Sequence, residues 1–337
     1  DVNREIDVIE EILRVYGYNN IDSSSRLVLS SKDYTLDNDK FIDDIIYRNL
    51  IGIGFNEITT NSICSPHSNQ LINDVCPIEI INPQGVELSH LRVSLLPGML
   101  DTIGFNLNRQ NKNLKLFEIG NIYQSIAKDN VENRKLSISI CGEIFNESWL
   151  IKDKTDNFFY LKGVINKLLN DLSLKTKFSV KNDSNYTEKV IITKGKDTIG
   201  FLGKVNKRIL NNYSINPEVC YAEIDIPSFD ISKSAIKYKE ISKFPSSRRD
   251  ISMIVDSKVT FNEIKKLSFD IDKNTLKEVN LFDVYKDKSM DKNKKSYAVS
   301  FIFNDSKKTL TDKYIDEVMK KIMNKFNKDL NAQIRDK

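Results

Sequence analysis

Residues 249–256 read RDISMIVD, with Ile251, Met253 and Val255 recurring at the period of a half-buried strand. TFNEIKKLSFDI (260–271) follows, and Thr260 answered by Glu263 is the reciprocal capping pattern of a helix start. LKEVNLFDVYK (276–286) and KKSYAVSFIFND (294–305) read as strands, TDKYIDEVMKKIMNKFNKDL (311–330) as an amphipathic helix, and NAQIRD (331–336) as a closing strand. The order βαββαβ is the ferredoxin-like split unit. All 12 glycines lie at or before Gly203, so Asn and Asp must serve its turns.

Upstream, the pattern predicts a helix from about Asn38 to Ile53, a strand over FNEITTNSIC (55–64), and a loop, Pro-Gly break and helix within INPQGVELSHLRVSLLPGMLDTIGFNLNRQ (81–110). Strands at NLKLFEIGNIYQSI and RKLSISICGEI, a helix over FFYLKGVINKLLNDL, and strands at EKVIITKG, TIGFLGKV and VCYAEIDI complete an α+β body on a mainly antiparallel sheet. The first 22 residues are mostly one helix, with Asn3 placed to cap it, Ile6, Ile9, Leu13 and Tyr16 at helical spacing and Gly17 to end it. A lone helix has no core of its own, so residues 1–22 are expected to be the end of a domain severed upstream. With 337 residues, two or three domains are expected.

The composition, 40% hydrophobic and 29% charged, is that of a globular protein. No apolar run reaches the length of a membrane span and no secretory pattern is present, which places the chain in the cytosol. Cys64, Cys76, Cys141 and Cys220 are far apart, and His67 and His90 stand on loop-like stretches, so the cysteines read as buried or partly buried free thiols. P-loop, GxGxxG, HExxH and GxSxG patterns are absent. Trp149, Phe158, Phe159 and Tyr160 read as core or interface residues.

Charge is unevenly spread. From Ile231 onward 25 Lys and Arg face 16 Asp and Glu, a net of +9, while the remaining 26 basic and 31 acidic residues leave −5. A basic tail on an acidic body points to a polyanion partner for the tail. Lys243, Arg248 and Arg249 stand at the mouth of the first strand of the split unit, and Lys286, Lys288, Lys292, Lys294 and Lys295 on its hairpin; together they read as a phosphate-tracking surface. Tyr297, Phe301 and Phe303 alternate on one strand face, as base-stacking rings or, more simply, as core. At the opposite end, Asp7, Glu10 and Glu11 share a helix face with Asp1 just outside it. Spacing alone allows either a solvated acidic first turn or a site for a hard cation.

Four blocks carry a family resemblance: DVNREIDVIEEILRVYGYNNI (1–21), GFNEITTNSI (54–63), NPQGVELSHLRVSLLPGMLDTIGFNLNR with LFEIGNIY (82–109 and 116–123), and FPSSRRDISMIV with KKSYAVSFIFNDSKKTLTDKYIDEVMKKI (244–255 and 294–322). In this order they resemble the C-terminal half of the bacterial phenylalanyl-tRNA synthetase β-subunit family. The resemblance implies that residues 1–22 end a B5 domain, that 40–235 form a class II synthetase-like but inactive catalytic-like module, and that 242–337 form a ferredoxin-fold anticodon-binding domain. It implies a Mg²⁺ site at Asp1, Asp7, Glu10 and Glu11 shared with an α subunit, an α2β2 holoenzyme that uses ATP, and contact of the tail domain with the anticodon stem and loop of tRNA(Phe). Lys243, Arg248, Arg249, Lys294 and Lys295, picked out by charge, are the residues expected to bind that RNA. The N-terminal tRNA-binding and editing modules of the family are not in this sequence, so proofreading is not expected of it.

No catalytic residue is expected in this chain. The chemistry of the class needs arginines on the ATP phosphates. Here Tyr123 is followed by Gln124 and Ser125, and VCYAEIDIPSFD holds neither Gly nor Arg. Arg92 and Arg109 stand as relics or, preferably, as interface or loop-anchoring residues. ATP is therefore expected to be bound elsewhere in the holoenzyme. The rival readings are a stand-alone RNA-binding protein with an RRM-like tail and an ATP-dependent enzyme in its own right.

Overall fold

The computed structural model describes residues 4–22, 38–69, 75–126, 129–145, 148–149, 156–226, 238, 240–285 and 293–335. The chain divides into two units, Asp1–Ser234 and Ala235–Lys337. In the first, α1 (Glu5–Tyr16), α2 (Asn38–Gly52), β1 (Asn56–Glu57), β2 (Ile63–Cys64), α3 (Pro66–Asn69), β3 (His90–Leu91) and α4 (Leu96–Leu107) precede the main strands. These are β4 (Leu114–Ile126), β5 (Asp129–Cys141), β6 (Thr176–Val180), β7 (Tyr186–Lys194), β8 (Asp197–Val205) and β9 (Val219–Asp225), with α5 (Asn157–Asp171) after β5 and α6 (Lys207–Asn212) before β9.

The sheet runs in the order β1-β4-β5-β9-β8-β7-β6, antiparallel except for the β1–β4 pair. Its hub is the long β4–β5 ribbon, paired without a break from Leu114↔Cys141 to Ile126↔Asp129. Helices cover both faces. Ile46 and Leu50 of α2 and Leu161, Ile165 and Leu168 of α5 pack on Ile138, Ile192, Leu202 and Ala222; on the other face Met99, Leu100 and Ile103 of α4 and Ile209 and Leu210 of α6 pack on Leu116 and Tyr221. That is why β9 is buried along nearly its whole length and reads as a continuous run rather than an alternating one.

Several expectations are corrected. FNEITTNSIC is not one strand: β1 and β2 are separate two-residue pieces, because Thr60 between them turns inward to Glu118. β6 is an edge strand with mostly exposed residues, and α6 is a short helix capped by Asn206, whose Oδ1 accepts from Arg208 N–H; neither was predicted. Of the aromatics read as core or interface residues, Phe158 is in the core, while Trp149 (85% exposed) and Phe159 (66%) are not, which removes only the core half of that reading for them. His67 and His90 belong to α3 and β3 rather than loops. Cys141 and Cys220 are buried, which pushes the Cys141 thiol pKa up to about 11, but Cys76 is exposed. The capping residue Asn3 lies outside the described residues; α1 begins after Arg4 and ends at Gly17, whose φ of 93° suits glycine and whose N–H bonds Leu13 O.

The second unit follows the expected order: β10 (Ser247–Asp256), α7 (Phe261–Ile271), β11 (Leu276–Tyr285), β12 (Lys294–Phe303), α8 (Asp312–Leu330) and β13 (Gln333–Arg335). The sheet order is β11-β12-β10-β13, all antiparallel. Thr260 and Glu263 form the capping box. Asn331 takes the left-handed conformation (φ 49°) that ends α8, where glycine is the usual choice. Tyr297, Phe301 and Phe303 are core residues packed with Ile264, Ile315, Ile322 and Phe326.

Phe326 is fully buried and its ring lies 6.4 Å from that of Phe301. Phe326→Ala should cost this unit about 3–5 kcal/mol, read as a lower denaturant midpoint by far-UV circular dichroism.

Candidate functional sites: a buried polar floor and a basic tail

The face of β4, β5 and β9 that lies under residues 92–95 carries charge where apolar side chains are the rule. Glu118 on β4 (1% exposed) and Glu223 on β9 (5%) are both buried, as is Arg92 (6%). Arg92 Nη1 meets Glu118 Oε1 at 2.8 Å and also donates to Thr60 Oγ1 at 2.9 Å, while Nε donates to Asn121 O at 2.8 Å. Thr60 completes the ring by donating its hydroxyl to Glu118 Oε2 at 2.8 Å and its N–H to Oε1 at 3.1 Å. Isolated charges in such a place would be very costly; paired and saturated with hydrogen bonds they are tolerable.

Two glycines make room for this arrangement. A Cβ at Gly120 would collide with Arg92 Nη2, and one at Gly98 would stand 2.6 Å from Thr60 Oγ1. Beside it, Glu223 Oε2 accepts from Ser94 Oγ and Tyr221 Oη, both at 2.7 Å, and from Leu95 N–H at 3.3 Å. Lys135 Nζ lies 3.6 Å from Glu223 and 2.7 Å from Asp225. Burial alone would lower the Lys135 pKa, but the two carboxylates outweigh it and raise it, so the ammonium stays charged. Burial, with Glu223 close by, pushes the Tyr221 phenol far above its ordinary range. These contacts tie the start of α4 to the sheet.

Arg92 and Arg109, read from the sequence as interface or loop-anchoring residues in preference to relics, are both engaged within the chain. Arg92 is held inward as described, and Arg109 lies with its guanidinium carbon 3.3 Å over the Phe105 ring while donating to Phe105 O at 3.1 Å. Both are thus anchors. A cavity of about 390 Å³ opens beside the floor, bordered by Thr60, Cys64, Arg92, Ser94, Gly98 and Asp101; burial raises the pKa of Cys64 and of Asp101.

On α1, Asp7 accepts from Arg4 N–H and from its guanidinium at 3.1 Å, and Glu11 pairs with Arg14 at 3.1 Å, while Glu10 is exposed. Asp1 lies outside the described residues. Among the described residues no cluster of three metal-binding side chains forms.

The predicted cations of the second unit do not form one patch. Ser247 pairs with Phe303 and Asp256 with Lys294, which puts Arg248 and Lys294 near opposite ends of the sheet, about 26 Å apart at roughly 3.3 Å per residue. Arg248 is exposed, pairs with Asp250 at 2.8 Å and lies 5.3 Å from the centre of the exposed Phe282 ring. Arg249 turns to α8, meeting Asp312 at 2.6 Å and Asp316 at 3.3 Å. Lys243 is exposed near Glu240, at 3.6 Å, and Lys294 is exposed. Lys295 is buried: it shares the inward face with Tyr297 and Val299, and its Nζ donates to Ser257 O at 2.8 Å. Lys286, Lys288 and Lys292 lie outside the described residues.

These features define a mixed α+β protein with a large antiparallel sheet whose floor is occupied by its own ion pairs, followed by a basic ferredoxin-fold unit. A family profile described as the phenylalanyl-tRNA synthetase beta chain CLM domain matches residues 28–226, and one described as the ferredoxin-fold anticodon-binding domain matches 242–335. The chain is 34% identical to the phenylalanine–tRNA ligase beta subunit of Bacteroides fragilis and 36% identical to that of Bacteroides thetaiotaomicron, in each case over 99% of the chain and 43% of the relative. A pyrrolysyl-tRNA synthetase structure from Desulfitobacterium hafniense aligns at a TM-score of 0.46 and 13% identity, over 57% of this chain and 67% of that one. The chain belongs to the phenylalanine–tRNA ligase β-subunit family, and it spans 43% of the length of the curated relatives named here.

Arg92→Met should destabilise the first unit by about 3–5 kcal/mol, because Glu118 is left as a buried unpaired charge. Arg92→Met combined with Glu118→Leu should recover much of that loss. Denaturant unfolding of the three proteins checks it, and a double variant no more stable than the single one would contradict the pairing.

Proposed function

We propose that this chain performs the β subunit's share of the ATP-dependent attachment of phenylalanine to tRNA(Phe), in the cytoplasm. In this reading the body, class II synthetase-like in plan, pairs with a catalytic α subunit in an α2β2 assembly, and the ferredoxin-fold unit meets the anticodon side of the tRNA. The division 1–22, 40–235 and 242–337 would correspond to the end of a B5 domain, the catalytic-like module and the anticodon-binding domain.

The observation that carries the proposal is the internal commitment of Arg92. A guanidinium neutralised by a carboxylate at 2.8 Å and fixed by backbone carbonyls has little left to offer a triphosphate. The adenylating chemistry and its ATP are accordingly assigned to the partner chain, and a Mg²⁺ ion would be shared between that chain and Asp1, Asp7, Glu10 and Glu11. In the second unit, Arg248, Lys243 and Lys294 are the members of the expected RNA-binding set that face solvent, with Arg249 bound to α8 and Lys295 internal. The exposed Phe282 ring beside Arg248 adds a surface for base contact.

Two measurements test this reading. Without an α subunit, the chain should give no phenylalanine-dependent ATP–pyrophosphate exchange, and exchange above background would overturn the assignment. In the assembled α2β2 enzyme, Arg248→Gln should weaken tRNA(Phe) binding and reduce the slope of log affinity against log salt by about 1; unchanged binding would remove Arg248 from the surface.

A further inference from the structure

Helix α8 buries Ile315, Val318, Met319, Ile322 and Phe326 along one side. At 3.6 residues per turn, Lys313, Lys320, Lys321 and Lys328 fall within an arc of about 100° on the opposite side and extend over about 22 Å of helix. All four are exposed. Asn324 and Glu317 share the arc, so four positive charges face one carboxylate. Among the described residues no ion pair joins Glu317 or any of these lysines to an opposite charge, although Glu317 and Lys321 have the favourable i, i+4 order. Asp312 of the first turn and Asp316 of the second are engaged elsewhere by Arg249.

A helix face that only needs solvation carries both signs, interleaved in pairs; one that concentrates a single sign raises its own electrostatic energy until a counter-charge arrives. The spacing fits an extended polyanion better than a small one, since the stripe spans several phosphates of a nucleic-acid strand. Insertion into an anionic membrane is disfavoured by geometry: the apolar side of α8 is already committed to the core of the unit. Ammonium groups on flexible stems make point-charge contacts that register a backbone rather than a base sequence.

We propose that the lysine face of α8 binds the phosphate backbone of RNA, as a second contact surface distinct from the one around Arg248. The proposal rests on the reading that this unit meets tRNA. The two surfaces lie on different elements, one on the sheet and one on the helical layer, so a folded RNA can engage both only by wrapping around the unit.

The test uses the full-length subunit assembled with its α partner and titrated with tRNA(Phe) over a range of salt concentrations. The quadruple variant K313Q/K320Q/K321Q/K328Q should bind about tenfold or more weakly at physiological salt, with the log–log salt slope reduced by about 3. The quadruple Lys→Arg variant should bind as the unaltered protein does. Gln keeps good helix propensity at exposed positions, so melting temperatures should agree. Protection of the four lysines from acetylation by bound tRNA in the unaltered protein gives the same answer without any substitution. Binding of the Gln variant within twofold of the unaltered protein, or no protection of the four lysines, overturns the proposal. So does a variant whose loss appears only on phosphatidylserine vesicles. If Arg248→Gln weakens binding while the α8 variant does not, the α8 surface falls and the proposed function stands; if neither has an effect, both fall.

Discussion

Arg92 and Glu118 lie 2.8 Å apart, almost wholly hidden from water, and neither is tolerable there without the other. Much of the body is arranged to keep them together. Thr60 breaks a strand to reach them, Gly120 and Gly98 give up side chains to make space, and Asn121 offers its carbonyl. Glu223 extends the same logic to Ser94, Leu95 and Tyr221, so the segment that starts α4 is bound through polar groups to β4 and β9, in addition to the apolar packing of α4 itself. Such a network contributes little net stability compared with an apolar replacement, but it fixes one geometry, because half-satisfied alternatives are heavily penalised.

This constraint also bears on what the sheet can do. Arg92, Glu118 and Glu223 over the sheet are satisfied by acid and base from the same chain. A cation neutralised in this way has little charge left to attract an anion from solution, which is the electrostatic basis of the proposed assignment of adenylation to another chain.

How much of this was legible beforehand depended on the range of the interaction. The second unit was readable because its signals are local: Thr260 and Glu263 three residues apart, apolar alternation in β10 and β12, helical spacing in α8. The broken strand at Thr60 was not, since its cause lies 58 residues away at Glu118. The polar floor left a trace in LFEIG and YAEID, where a carboxylate occupies an inward position among apolar neighbours, but its partners could not be named from spacing. Lys295 is instructive in another way. It has the parity of Tyr297, Val299 and Phe301, so strand alternation already placed it inside, and counting it among surface cations overlooked that period. Asn206 likewise announced α6 as a capping residue at the head of a segment short enough to pass for a loop.

The second unit contains no glycine, and Asn331 fills the left-handed position at the end of α8. Every residue there has a Cβ or a ring that restricts its backbone even when the chain is unfolded. The denatured ensemble of this unit is correspondingly narrow, and less configurational freedom is surrendered on folding than a glycine-bearing chain of equal length would lose. A small basic module with strong self-repulsion thereby gains part of its stability from stiffness, independent of any contact visible in the native state.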